Sequence, residues 1–221
     1  MGWITGAALG AAAGAGINRV LEQSRMRQAL DPRLFSAVDP PLPVERWSVC
    51  EGLFAVGLPG GWRDLTNDEL VQLATLVNGR VVFGIAVTTP DPRLGCSATS
   101  FSVVDSGPGS VPLGSEGALF VDVDALARAR TEALPNFTSY GAPSRIALGG
   151  ERAVVHHMHG VVPGEGYGVQ GSIAGMQGEL IVAHATSLYI GMFASPSQTY
   201  ESYLPHFWTM LGNWGWYSTV Q

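Results

Sequence analysis

Residues 145–193 read RIALGGERAVVHHMHGVVPGEGYGVQGSIAGMQGELIVAHATSLYIGMF, and this stretch decides the fold class. Runs rich in β-branched residues alternate with glycine-marked breaks. The runs predict strands over Arg145–Leu148, Arg152–Val162, Gly168–Met176 and Glu179–Thr186, with Leu188–Phe193 continuing or following the last. The breaks fall at Gly149-Gly150, at the glycine-rich tip 163–168 and at Gln177-Gly178. Connections this short join antiparallel neighbours, because a parallel pair needs a crossover of about a dozen residues.

Working outward, three more strands are expected at Ser48–Gly57, Val81–Thr89 and Ser97–Asp105. Helical spacing marks Asn67–Val77, with Thr66 or Asn67 as N-cap, and Val123–Leu134, with arginines on its polar face. A third helix runs from Ser197 to about Gly212, where Tyr200, Leu204, Phe207, Leu211 and Trp214 form one apolar stripe. Pro205 should bend this helix or start its regular part. The expected class is α+β: an antiparallel sheet of about six to seven strands flanked by helices, preceded by an N-terminal helix.

The first eighteen residues, MGWITGAALGAAAGAGIN, carry no charged side chain. Gly6, Gly10 and Gly14 recur every fourth residue, a glycine zipper whose bare face lets another helix approach closely. A cleaved signal peptide fits poorly, since no basic residue precedes the apolar run. A spanning helix is at the lower limit of length. A helix packed on a partner protein, or lying on a membrane through residues 3–18, is the third reading. Pro32, Pro40, Pro41 and Pro43 then mark a linker. The expected organisation is 1–30 as a small-residue helix, 31–46 as a proline-rich linker and 47–221 as the folded domain.

Composition narrows the function. Of 221 residues, 14% are charged and 46% hydrophobic, which excludes a chain disordered by charge. The formal charge of -6 argues against nucleic acid as a partner, which calls for clustered cations. All 12 basic residues are arginine, so no mechanism can use a lysine amine. Cys50 and Cys96 are the only thiols; they stand either unpaired or joined in one disulfide.

One cluster suggests metal chemistry. On a strand, His157 and His159 share a face while His156 points away. A third imidazole from a neighbouring strand, His184 being the candidate, would complete a site. Ordinary polar roles on a sheet face are the competing reading. Gly171-Ser172-Ile173-Ala174-Gly175 lacks the serine spacing of a nucleophile elbow. Asp105, Ser172 and His184 make a triad on paper only. Trp208, Trp216 and Tyr217 crowd the C-terminus, where aromatics left off the core would anchor a partner.

The order of elements resembles a known group. Phe54-Ala55-Val56-Gly57-Leu58-Pro59-Gly60-Gly61-Trp62 is similar to the opening of the PsbP-like superfamily. The middle, Ala127–Leu134 with Pro135-Asn136-Phe137, Ser144-Arg145-Ile146, Leu148-Gly149-Gly150 and Glu151-Arg152-Ala153, resembles that superfamily's helix leading into a long strand. Ala194-Ser195-Pro196 and Tyr203-Leu204-Pro205 with Phe207 and Met210-Leu211 resemble its close. The resemblance covers residues 47–216 and is nearest to LpqN-type actinobacterial lipoproteins and DcrB-like proteins, without the lipidated cysteine of the former. It implies packing positions rather than catalytic residues, and no cofactor. The expectation is a non-enzymatic accessory or assembly protein, held to a protein partner, larger complex or membrane by its N-terminal helix. The alternatives are a small-ligand or metal-binding protein using the face of His157 and His159, and a chaperone for apolar segments.

Overall fold

The computed structural model describes residues 32–50, 52–75, 80–90, 98–111, 115–134, 136–163 and 171–217. At its centre is a hairpin of two long strands, β10 (Ser172–His184) and β11 (Ser187–Pro196), paired antiparallel from Gly175↔Pro196 to His184↔Ser187. Ala185 turns the hairpin with a positive φ of 53°. Outside β10 lie β9 (Glu151–Pro163), β8 (Ser144–Leu148) and the two-residue β1 (Ser36–Ala37); the β1–β8 pair is parallel. Outside β11 lie β6 (Ser100–Pro108), β5 (Arg80–Val87) and β4 (Trp62–Asp64). β7 (Phe137–Ser139) also pairs with β9, giving a mostly antiparallel sheet of nine strands. A second sheet holds β2 (Arg46–Cys50), β3 (Phe54–Leu58) and β12 (Trp214–Trp216), with β3 in the middle.

The nine-stranded sheet is covered on both sides. Leu180 and Val182 of β10 join Phe101, Phe193 and Phe207 in a core roofed by the small sheet and by α4 (Tyr200–Gly212). Ile181 and Ala183 face the other way, into a core with Val154, Ile190 and Met192. That second core is closed by α1 (Asn67–Ala74), α2 (Glu116–Val121) and α3 (Val123–Glu132). Near-continuous burial along β10 and β11 explains why their sequences show long apolar runs rather than strict alternation.

The helices obey local rules. Thr66 caps α1 and forms a reciprocal box with Glu69. Hydrogen bonds from Arg63 hold the Glu69 carboxyl down at about 2. Inside α4, Pro205 lies within the first two turns, after tight bonds from Thr199 to Pro196 and from Ser202 to Thr199.

Three expectations change. Among the described residues the strands number nine plus three rather than six to seven, because β1, β4, β7 and β12 are two or three residues long and leave no periodic signal. Ser48–Gly57 is two antiparallel strands, β2 and β3, with Gly52 at φ 68° between them. Gln177-Gly178 is no turn but the middle of β10. Gly178 is needed there for space: a Cβ would lie 2.9 Å from the Tyr200 hydroxyl.

The proline-rich segment is fastened to the domain along much of its length. Phe35 is buried edge-on against Phe120 at 6.2 Å, and the Leu42 amide donates to Thr209 Oγ1 at 3.0 Å. Val44 fills the space above Gly57. Residues 1–30, with the expected N-terminal helix and its glycines, lie outside the described residues, as does Cys96. Among the described residues no helix is long and apolar enough to cross a membrane.

Trp214 is buried as expected, though on β12 and not on the helix, stacked on Phe54 with centroids 4.3 Å apart. Trp214→Ala should lower unfolding free energy by about 3–5 kcal/mol. The same change at Trp47, which is 56% exposed on β2, should stay within about 0.5 kcal/mol of the parent. Urea denaturation followed by circular dichroism measures both.

Candidate functional site

Alternation along β9 turns His157 and His159 towards α4 and His156 to the opposite face. His157 sits across from Gly178, and the missing side chain there admits the Tyr200 hydroxyl. His157 Nδ1 and that hydroxyl share a 2.6 Å hydrogen bond, and the Trp208 ring stands edge-on to the imidazole at 5.9 Å. Burial, reinforced by the neighbouring His156, pushes His157 down to about 4. Burial also pushes the Tyr200 hydroxyl up. Both rings are therefore neutral at pH 7, a packed pair rather than a proton-transfer pair.

The three histidines expected to share a metal do not converge. His159 is exposed, with Nε2 bonded to Thr138 Oγ1 at 2.7 Å and the Tyr140 ring edge-on beside it. His184 lies flat on Trp216, with centroids 4.2 Å apart, and its Nδ1 is 2.9 Å from Glu151 Oε1. The register puts His184 opposite Ser187, six residues along β10 from Gly178. At roughly 3.3 Å per residue this is about 20 Å from His157. Among the described residues no group of three His, Cys, Asp or Glu side chains is placed to hold a metal ion. The paper triad also dissolves, since Ser172 and His184 are the two ends of one strand.

The C-terminal aromatics divide by role. Trp216 is committed internally: its Nε1 donates to the Leu148 carbonyl at 3.0 Å and its ring covers His184. Tyr217 is 41% exposed just beyond β12, its amide bonded to the Leu53 carbonyl. Trp208 is half-buried and reaches a groove of about 470 Å³ at the β1–β8 edge of the large sheet. Leu34, Ser36, Val38, Arg145 and Ile146 complete most of its wall. The one charged wall residue, Arg145, is turned onto the end of α2, donating to the Val121 carbonyl at 3.1 Å and the Phe120 carbonyl at 3.4 Å. What the groove offers a visitor is an indole, aliphatic side chains and small hydroxyls.

A polar cluster on the opposite face was not foreseen. Arg130 of α3 and Glu179 of β10 are both fully buried and bonded twice, Nε to Oε2 at 2.6 Å and Nη2 to Oε1. His156, also fully buried, is the cross-strand neighbour of Glu179 and shares a 2.7 Å bond between Nε2 and Ser139 Oγ. Its Nδ1 has no hydrogen-bond partner. Burial pushes His156 below the usual imidazole range; the Glu179 carboxylate works against the shift and Arg130 works with it. The arginines of this helix were expected on its polar face, but Arg130 shares the buried face of Val123, Leu126 and Ala127, where the Glu179 carboxylate meets its charge.

The pH dependence of stability follows. A histidine whose folded value lies below its unfolded value of about 6.5 contributes stability fully present above that value. The contribution is lost as pH falls through it towards the folded value, which is about 4 for His157. Urea midpoints should therefore fall between pH 6.5 and pH 4.5, and His157→Gln should flatten part of that slope. An unchanged slope in the variant would show that His157 does not carry it.

No protein-family model and no curated protein matches the chain. Solved structures do. The solution structure of cyanobacterial PsbP from Synechocystis superposes with a TM-score of 0.50 at 10% identity, covering 86% of this chain and 98% of that one. LpqN of Mycobacterium tuberculosis, described as involved in cell envelope biogenesis, gives 0.42 at 14% identity over 74% of this chain and 82% of LpqN. The Saccharomyces cerevisiae Ran-binding protein Mog1p gives 0.43 at 9% identity over 78% and 95%. At these identities the likeness lies in the path of the backbone. The resemblance read from the order of elements holds at that level: the chain has a PsbP-like fold.

Proposed function

We propose that this protein is a non-enzymatic accessory or partner-binding protein. It docks a protein partner at the Trp208 groove and is held to a larger complex or a membrane by residues 1–30. One observation carries the reading: a half-buried indole lines a groove of mixed aliphatic and hydroxyl wall at a sheet edge, and the groove's one cation is already engaged on α2. Aromatic anchors in such settings carry much of the energy of protein–protein contacts. Residues 1–30 add a face of Gly6, Gly10 and Gly14 suited to close helix packing. In this organisation residues 31–46 tie that arm to the domain formed by 47–221. Tyr217, exposed beyond β12, is a further contact residue, whereas Trp216 supports the domain itself.

The reading is tested in native cells by crosslinking at the groove. A photo-reactive amino acid at position 208 should capture one dominant protein, and Trp208→Ala should weaken that association at least tenfold with unchanged circular dichroism. Deleting residues 1–30 should move the protein out of its complex or membrane fraction. A full-length chain that sediments as a lone monomer after gentle lysis, with no crosslink at position 208, would refute both halves.

A further inference from the structure

The cluster under α3 joins two elements that follow one another in the chain. Arg130 fixes α3 to β10 through Glu179, and Ser139 fixes β7 to β9 through His156. Beneath them lie Leu126, Leu134 and Phe137, all buried. We infer that the α3–β7 segment, residues 123–139, is an acid-released flap whose latch is His156.

The geometry sets the direction. The groups facing His156 are Glu179 from β10, Arg130 from α3 and the Ser139 hydroxyl from β7. On its own strand the residues two positions away, Val154 and Met158, are buried and apolar. Arg145, from β8, is occupied on the end of α2. His157 points to the other side of the sheet. A proton can enter the ring only at the unpartnered Nδ1 or at the nitrogen that meets Ser139, and neither position faces water. Burial is what disfavours an imidazolium there: the ring is wholly removed from water, Glu179 offsets part of that cost and Arg130 adds to it. Opening the flap hydrates the ring. The open form therefore binds a proton that the closed form refuses. With an ordinary imidazole value of about 6.5 in the open form, the open population rises by up to about 30-fold between pH 7.5 and pH 5.

The release is confined to one face. Acid also acts on His157, but that ring holds α4 on the other side of the sheet. The location of any loosening therefore separates the two histidines.

The test is amide hydrogen exchange on the full chain at pH 7.5 and pH 5.0, with rates corrected for intrinsic chemistry. Residues 123–139 should lose about 10- to 30-fold in protection at pH 5.0 and should exchange faster than β10 and β11 at both pH values, since the slow exchange of those strands follows global unfolding. His156→Gln, which keeps a hydrogen-bonding group opposite Ser139 and cannot titrate, should abolish the difference. No loss at pH 5.0, exchange of residues 123–139 only at the same rate as β10 and β11, or a faster-than-core loss that persists in the variant would each overturn the proposal. Should the variant fail to fold, the carbon-13 shift of the His156 ring in the parent protein decides. Its titration should share a midpoint with the exchange change; a ring that stays neutral while the flap opens overturns the latch.

Discussion

Glu179 stands in the middle of a strand with a packed layer on either side, and no route to water is open to its carboxylate. A buried carboxylate must be met by a cation and by hydrogen bonds, or it costs several kcal/mol. Arg130 meets it from α3, and this one requirement places that helix. Its register over the sheet, the path into β7 and the covering of Leu126 and Phe137 all follow from where a guanidinium can reach. Such a pair adds little net stability over an apolar equivalent, yet it leaves few alternative seatings for the helix. The rest of the second core can be satisfied by many apolar combinations; the ion pair is satisfied by one geometry.

On the opposite face the constraint is spatial. Tyr200 opens α4 with its ring almost wholly buried. Its hydroxyl needs both a polar partner and an absence of side chain beneath it. His157 is the partner and Gly178, directly across the ladder, is the absence. The two faces of adjacent rungs thus do opposite things. Glu179 reaches up to a helix on one side, while Gly178 steps back to let a helix in on the other.

These two rungs also show what a sequence discloses. The antiparallel class, the long strands of residues 145–193 and the phase of α4 were legible because each repeats a local period over many residues. The sharing of a face by His157 and His159 was legible for the same reason. Gly178 misled, since a glycine between apolar runs reads equally as a turn or as a close approach, and the group that approaches lies 22 positions further on. Arg130 and Glu179 are 49 residues apart, so the carboxylate that lets an arginine take a core position on α3 leaves no local trace. Trp214 announced its burial but not its strand, because stripes at helical spacing can outrun the helix that starts them. The groove escaped for a further reason: it is made by β1, β8 and α4, three elements brought together only by the fold.

The parallel pairing of β1 with β8 has a consequence for how this protein would engage anything larger. Pairing at Ser36 and Ala37 fixes the point at which the polypeptide joins the domain, and Leu34, two residues earlier, already lines the wall beneath Trp208. The chain thus enters the described domain at the rim of the groove. In the proposed assembly, an arm and a groove sharing one rim would act at a high effective concentration, so each contact could be individually weak and the whole still persist. The short edge strand would then be the rivet that sets avidity.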